Sequence, residues 1–180
     1  MNIITFAGNR AEYYLLRPLL KRLLSEKKFN LKVIISGDIV KESDSQTFKD
    51  IQKDQIKIDK VIKIPDQYKL HSEKIGYLCI EIPKFLENYS FDLAIIYGDR
   101  FESFAFTIAC LHQDIPIIHI EAGDLTEGGT YDDFIRHAIT KMSHLFCTST
   151  AKGIEIVKSL GEEDWRITQS GILSYEDMKK

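Results

Sequence analysis

The chain has 180 residues, which is enough for one well-buried domain and short for two. Its 44% hydrophobic and 28% charged residues exclude a disordered chain, and its net charge of −3 offers no basic surface for nucleic acid. No apolar stretch approaches the roughly 20 residues that span a bilayer, and the N-terminus lacks a signal-peptide pattern. We therefore expect one domain over residues 1–180, no nucleic-acid or membrane partner, and a soluble, cytoplasmic protein.

Short apolar segments rich in β-branched residues alternate with longer segments of helical period. The predicted strands cover residues 3–7, 31–36, 60–64, 92–97, 115–120, 144–150 and 166–170. The predicted helices lie near residues 11–28, 43–53, 70–89, 101–113, 132–143 and 151–160. This alternation predicts an α/β, Rossmann-like fold, a doubly wound parallel sheet with helices on both faces. Pro18 is expected to kink the first helix or to mark its true start.

Three polar loops are predicted to converge at one edge of this sheet. If the six principal strands follow the order 3-2-1-4-5-6, the first and fourth strands are neighbours where the strand order reverses. The segments AGNRAE (7–12) and YGDRFE (97–102) then face one crevice, and HIEAGD (119–124) joins them from the fifth strand. Open α/β sheets bind ligands at this position, so we predict the functional site there.

The first of these loops suits a phosphate group. Gly8 permits a tight turn, the following helix directs free backbone N–H groups toward the crevice, and Arg10 adds a guanidinium. Neither a dinucleotide fingerprint nor a Walker loop is present, because the further glycines and the Lys-Ser/Thr pair are missing. An ordinary glycine turn with a surface arginine is the alternative.

Two carboxylates are expected to share the crevice. Glu121 directly follows an apolar strand, where an ionised carboxylate is costly unless it is paired or neutralised. Its predicted neighbour is Asp99, and such a pair tends to have one raised pKa, which supplies an acid and a base near neutral pH. The alternatives are a helix N-cap for Asp99 and a salt bridge from Glu121 to Arg100 or Arg10. Glu102 is expected to be a first-turn acid facing the helix dipole.

The helix predicted from residue 132 carries two acids followed one turn later by two bases. The i,i+4 spacing pairs Asp132 with Arg136 and Asp133 with His137. A helix N-terminus with complementary charges explains this pattern as well as a functional site does. The histidines show no metal-ligand spacing and no G-x-S-x-G motif occurs, so we expect neither a metal nor a cofactor.

Four segments in order resemble the hydrolysing UDP-N-acetylglucosamine 2-epimerases. They are GNRAEYYLLRPLLKRL, YGDRFES, IPIIHIEAGDLTEGG and YDDFIRHAITKMSHLFCTST. The resemblance runs through nearly the whole chain and implies the N-terminal half of a two-domain GT-B-like fold, with the C-terminal nucleotide-binding domain absent from this chain. It implies elimination of UDP from UDP-GlcNAc to a glycal and hydration to ManNAc, for sialic or other nonulosonic acid synthesis.

The resemblance also implies roles for particular residues. Catalytic roles fall to Asp99, Glu121 and Asp132. Substrate-binding roles fall to Arg10, Glu12, Arg100, Arg136 and His137. A UDP-sugar is the expected partner, a homo-oligomer is one alternative for the assembly, and a C-terminal domain is an expected requirement. UDP-diacetylbacillosamine is an alternative substrate, and a non-catalytic sugar-nucleotide binding domain or a GT-B glycosyltransferase acceptor domain are alternative functions.

Overall fold

A parallel sheet forms the centre of the chain. The computed structural model describes residues 1–41, 46–126, 128 and 131–173. Among these residues the strands are β1 (Asn2–Ala7), β2 (Asn30–Ser36), β3 (Lys60–Ile62), β4 (Leu93–Tyr97), β5 (Ile117–Ile120), β6 (Leu145–Thr148) and β7 (Ile167–Gln169). They pair in parallel in the order β3-β2-β1-β4-β5-β6-β7. The predicted order of the six principal strands is confirmed, and β7 extends the sheet at one edge.

Helices connect these strands. They are α1 (Arg10–Ser25), α2 (Gly37–Lys41), α3 (Gln46–Lys53), α4 (His71–Leu86), α5 (Phe101–Leu111), α6 (Tyr131–Lys141) and α7 (Ala151–Ser159). The short helix α2 was not predicted. The expectation that Pro18 marks the start of the first helix is wrong, because a capping box formed by Asn9 and Glu12 starts α1 well before it.

Apolar side chains cover both faces of the sheet, as the sequence predicts. On one face α4, α5 and α6 pack through residues such as Leu78, Phe106 and Ile139. On the other face α1 and α3 pack through Leu16 and Ile51. Within the described ranges, no helix is both long and apolar enough to cross a membrane.

The chain turns sharply where the site loops begin. β1 pairs with β4 and β4 pairs with β5, so the carboxyl ends of these three strands lie side by side. Gly98 follows β4 with a φ of 71°, and Glu121 follows β5 with a φ of 63°. The left-handed backbone at Glu121 is uncommon for a residue with a side chain, and such positions cluster at functional sites.

Candidate active site

The three polar loops meet at the carboxyl ends of β1, β4 and β5. They enclose a cleft of about 220 Å³, lined by Asn9, Ala11, Glu12, Leu15, Tyr97, Gly98, Asp99, Arg100 and Glu121. The predicted convergence is therefore confirmed, and it brings Asp99 and Glu121 to one cleft. The negative charges of these two carboxylates need cations or hydrogen-bond donors nearby.

Arg136 of α6 compensates both acids. Its Nη2 donates a hydrogen bond to Oδ2 of Asp99. Its Nη1 donates to the backbone carbonyl of Glu121 at 3.1 Å and lies 3.8 Å from Oε2 of the Glu121 carboxylate. The predicted pair of Arg136 with Asp132 is wrong, because Arg136 turns inward and is buried. A guanidinium that has left water needs carboxylate partners, and the inward direction offers two.

Asp99 is an acid of the cleft and does not cap a helix. Arg100 occupies the N-cap position of α5 and makes no side-chain cap hydrogen bond, so the N-cap alternative for Asp99 is wrong. Burial raises the pKa of the Asp99 carboxyl, and the carboxylates of Asp132 and Asp133 raise it further. Arg136 opposes this rise without cancelling it. Asp99 is thus held closer to a protonated state than a carboxyl in water.

Glu121 has a different set of neighbours. The Tyr97 hydroxyl donates a hydrogen bond to its Oε1. Burial raises the pKa of the Glu121 carboxyl, and the hydrogen bond from Tyr97 lowers it. The negative charges of Asp124 and Asp99 push the pKa upward again. Both acids therefore have raised pKa values, where the sequence predicted one, and Arg136 replaces the expected partners of Glu121.

Glu12 lines the cleft, and both of its carboxylate oxygens accept hydrogen bonds from protein groups. Its Oε2 accepts the backbone N–H groups of Gly8 at 2.6 Å and Asn9 at 3.2 Å, and its Oε1 accepts the Ser103 hydroxyl at 2.8 Å. Burial, reinforced by the charge of Glu102, raises the pKa of the Glu12 carboxyl to about 7. Glu12 thus connects the first loop to α5 by hydrogen bonds. This structural role was not predicted from the sequence, which indicated only a contact with substrate.

Glu102 does not face solvent. The side chain is buried, its Oε2 lies 3.4 Å from Nε of Arg100, and a Cβ added at Gly8 would come within 2.7 Å of its own Cβ. Gly8 is therefore required for the close approach of the first loop to α5. The expectation of a first-turn acid is confirmed, because Glu102 lies in the first turn of α5, but its burial was not predicted.

The predicted cationic contacts divide between the surface and the interior. Arg10 is exposed at the start of α1, with its guanidinium carbon 5.7 Å from the centre of the Tyr14 ring. Arg100 lines the cleft and pairs with Glu102. Arg100 is therefore a partly buried residue of the cleft, whereas Arg10 is exposed and does not line it. Neither is among the ion-pair partners of Glu121 in the described chain.

The start of α6 contains two acids with different surroundings. Asp132 is exposed, whereas Asp133 is buried and accepts the backbone N–H of Thr126 at 2.9 Å. The predicted pair of Asp133 with His137 is wrong, because the Asp133 carboxylate turns toward the preceding loop. His137 is half-buried on α6, and its Nδ1 has no hydrogen-bond partner among the described residues. Asp132 is the member of the pair that remains open to solvent near Asp99.

Sequence reasoning missed Tyr97, Ser103 and His119. His119 is completely buried in β5, with Nε2 2.8 Å from the Gly98 carbonyl oxygen and Nδ1 3.0 Å from Oγ1 of Thr140. The sequence signal was a histidine inside the apolar strand IPIIHI, where a polar ring requires partners. In the part of the chain that the structure describes, no group of three or more His, Cys, Asp or Glu side chains is arranged to hold a metal ion.

Comparison with known proteins identifies similar chains. The family profile described as UDP-N-acetylglucosamine 2-epimerase matches residues 21–180. A polysialic acid biosynthesis protein of Escherichia coli is 33% identical over 97% of this chain and 45% of its own length. A GDP/UDP-N,N'-diacetylbacillosamine 2-epimerase (hydrolyzing) of Campylobacter jejuni is 34% identical over 96% of this chain and 45% of its own length.

A solved structure shares the fold. UDP-GlcNAc 2-epimerase from Neisseria meningitidis, bound to UDP-GlcNAc, superposes with a TM-score of 0.88 at 22% identity, covering 99% of this chain and 50% of that chain. The predicted fold class, a Rossmann-like N-terminal half of a GT-B fold, is confirmed. The chain spans about half the length of the relatives that it matches.

Proposed function

Because the chain belongs to the UDP-N-acetylglucosamine 2-epimerase family, we propose that it forms the N-terminal half of a hydrolysing UDP-sugar 2-epimerase. The observation that carries this proposal is the placement of Asp99 and Glu121 in one cleft, with raised pKa values and Arg136 between them. Two acids with raised pKa values suit the donation and removal of protons, which the reaction requires.

The proposed reaction has two stages. In the first, a carboxylate removes the proton at C2 of the sugar while the C1–O bond to UDP breaks, which leaves a glycal and UDP. In the second, water adds across the double bond and places a hydroxyl at C1. The new proton reaches C2 on the face opposite to the one that lost the original proton. The products are UDP and the free sugar epimerised at C2. One residue must act as base and another as acid in each stage.

We assign these proton transfers to Asp99 and Glu121, with Asp132 assisting water addition. The exposed position of Asp132 beside the charge of Asp99 supports this role. Arg10 and Arg100 are proposed to hold the diphosphate, since Arg100 lines the cleft, Arg10 is exposed at the start of α1, and guanidinium groups match phosphate oxygens. Arg136 fixes the two acids.

Glu12 and His137 complete the proposed site in different ways. Glu12 acts indirectly by fixing the loop that carries Arg10, because its two oxygens already accept hydrogen bonds from Gly8, Asn9 and Ser103. His137 is proposed as a substrate contact on the basis of the family resemblance, and its buried Nδ1 has no hydrogen-bond partner among the described residues.

We propose UDP-GlcNAc as substrate and ManNAc as product, in the cytoplasm, for sialic or other nonulosonic acid synthesis. The name of the E. coli relative supports this pathway. The name of the C. jejuni relative favours UDP-diacetylbacillosamine as a second candidate substrate. The relatives are about twice as long, which supports a requirement for a second domain that completes the nucleotide site.

A homo-oligomer is also proposed, because the large apolar side chains of Ile80 and Phe134 are exposed. Size-exclusion chromatography tests the oligomeric state.

Turnover and binding assays test the proposal together. A two-domain form should convert UDP-GlcNAc or UDP-diacetylbacillosamine to UDP and a free C2 epimer, identified by NMR. Calorimetry of the 180-residue chain with UDP and with UDP-GlcNAc should show no binding until the second domain is supplied. Micromolar binding by the chain, without turnover by the two-domain form, would instead establish a sugar-nucleotide binding module. Release of a glycoside would establish a glycosyltransferase.

A further inference from the structure

His119 lies behind the proposed site with both ring nitrogens engaged. It is completely buried in β5. Its Nε2 faces the Gly98 carbonyl oxygen at 2.8 Å, and its Nδ1 faces Oγ1 of Thr140 at 3.0 Å. Because the ring is completely buried, both of its nitrogens must find their hydrogen-bond partners among protein groups.

The chemistry of the partners determines where the ring carries its hydrogen. A carbonyl oxygen only accepts, so Nε2 must be the protonated nitrogen that donates to Gly98. In a neutral ring Nδ1 is then an acceptor, and the Thr140 hydroxyl must donate to it. Thr140 also lies 2.9 Å from the backbone carbonyl of Arg136. One hydroxyl hydrogen serves one acceptor at a time, so the neutral ring directs it away from Arg136.

The surroundings of His119 favour the neutral ring. Burial lowers the pKa of the imidazole to about 4, opposed by the hydrogen bond to Gly98. The positive charge of Arg136 and the neighbouring imidazole of His137, both on α6, lower it further. A second positive charge beside Arg136 would therefore be unfavourable in this buried position.

The two partners of His119 belong to the segments that carry the central ion pair. Gly98 immediately precedes Asp99, and its own N–H donates to the Ile120 carbonyl at 3.1 Å. Thr140 follows Arg136 by one turn of α6. One ring thus connects β5 to the loop of Asp99 on one side and to the helix of Arg136 on the other.

We propose that His119 is a positioning residue, held as the neutral Nε2–H tautomer, that sets the distance between Asp99 and Arg136. The kinetic consequence rests on the proposed function, whereas the tautomer is a property of the folded chain. The alternative is a core histidine that only fills space, for which the hydroxyl of Thr140 would be dispensable.

Nitrogen-15 NMR of histidine-labelled chain tests the tautomer without substrate. A His119→Gln variant assigns the signal among the five histidines. The His119 ring should show a protonated Nε2 and an unprotonated Nδ1, unchanged from pH 8 to about pH 5, because its pKa lies near 4. Thr140→Val should shift the Nδ1 signal, and Thr140→Ser should restore it. An Nδ1–H tautomer, or a charged ring at pH 7, would overturn the proposal.

Kinetics of the two-domain form test the positioning. Thr140→Val should lower kcat roughly 10- to 100-fold with little change in KM, because a small displacement of Asp99 or Arg136 is costly to chemistry. Thr140→Ser, which keeps the hydroxyl, should recover kcat. Wild-type kcat in Thr140→Val would overturn the role. If the unsubstituted protein shows no turnover, the proposed function fails, and the NMR result alone still decides the tautomer.

Discussion

Arg136 donates a hydrogen bond from α6 to the carboxylate of Asp99, which follows β4. The same guanidinium donates to the backbone carbonyl of Glu121, which follows β5. One buried cation thus joins three elements that are distant in sequence. Its removal should leave two carboxylates in the cleft without their shared partner.

Arg136→Met should destabilise the chain more at pH 8 than at pH 5. Arg136 lowers the pKa of both carboxyls, so its loss raises both, and the two groups then take up protons more readily as the pH falls from 8 to 5. The side chains of Asp99 and Glu121 are 19% and 20% exposed, so we expect a loss of roughly 2 kcal/mol at pH 8, below the cost for a fully buried pair.

Urea unfolding at the two pH values measures this difference. Lys158→Met is the control, because its pair with Asp164 is exposed and should change the free energy of unfolding by less than about 1 kcal/mol. A loss of equal size at pH 5 and pH 8 would contradict the shared compensation of the two acids.

The contribution of Glu12 to the free energy of unfolding should fall as the pH rises. Its carboxyl has a pKa of about 7 in the folded chain against 4.5 for an unperturbed glutamate, so folding favours the protonated form. Its contribution is most favourable below pH 4.5 and is lost as pH rises through about 7, in total roughly 3 kcal/mol.

Glu12→Gln should flatten this dependence. The glutamine oxygen can accept from Gly8 and Asn9 while its amide donates to Ser103, which mimics the protonated acid. Unfolding free energies of both proteins between pH 5 and pH 8 measure the change in slope. Glu155→Gln, at an exposed position of α7, is the control and should leave the slope unchanged. An unaltered slope in Glu12→Gln would show that Glu12 is ionised throughout.

Asp132→Ala and Asp133→Ala should separate chemistry from folding. Asp133→Ala removes the acceptor of the Thr126 N–H and should cost about 1–3 kcal/mol of unfolding free energy. Asp132→Ala should change stability by no more than about 0.5 kcal/mol, because Asp132 is exposed, and should lower turnover of the two-domain form. Thermal unfolding of the chain and steady-state assays measure these effects. Full turnover in Asp132→Ala would remove it from the proposed mechanism.

Tyr97→Phe should shift the pH dependence of turnover. The Tyr97 hydroxyl lowers the pKa of the Glu121 carboxyl, so its removal raises that pKa. If Glu121 acts as the ionised base, the acidic limb of the kcat/KM profile moves to higher pH. Tyr14→Phe, which removes a hydroxyl that donates to Asp50 instead, should leave the profile in place. An acidic limb that stays in place or moves to lower pH in Tyr97→Phe would exclude this role for Glu121.

The sequence predicted the sheet and the location of the site because both depend on pattern and topology. Apolar strands alternating with helices determine a doubly wound sheet, and the strand order then brings Asp99 and Glu121 together. These relationships need no knowledge of side-chain direction. They therefore follow from residue types and spacing alone.

The charge pairing could not be predicted in the same way. Spacing along a helix paired Arg136 with Asp132, but the packing of α6 against the sheet turns Arg136 inward. Likewise, nothing local indicates that Glu102 is buried, since its burial depends on how closely Gly8 approaches α5. Contacts that depend on how whole helices pack against the sheet cannot be predicted from i,i+4 spacing along one helix.

The fate of the hydrogen at C2 tests the role of the two acids most directly. The two-domain form, incubated with UDP-GlcNAc in D₂O, should yield UDP and free ManNAc carrying one deuterium at C2. Asp99→Asn and Glu121→Gln, which keep shape and remove the ionisable group, should each abolish glycal formation and deuterium incorporation. A product that retains its original C2 hydrogen, or normal turnover in either variant, would contradict proton transfer by Asp99 and Glu121.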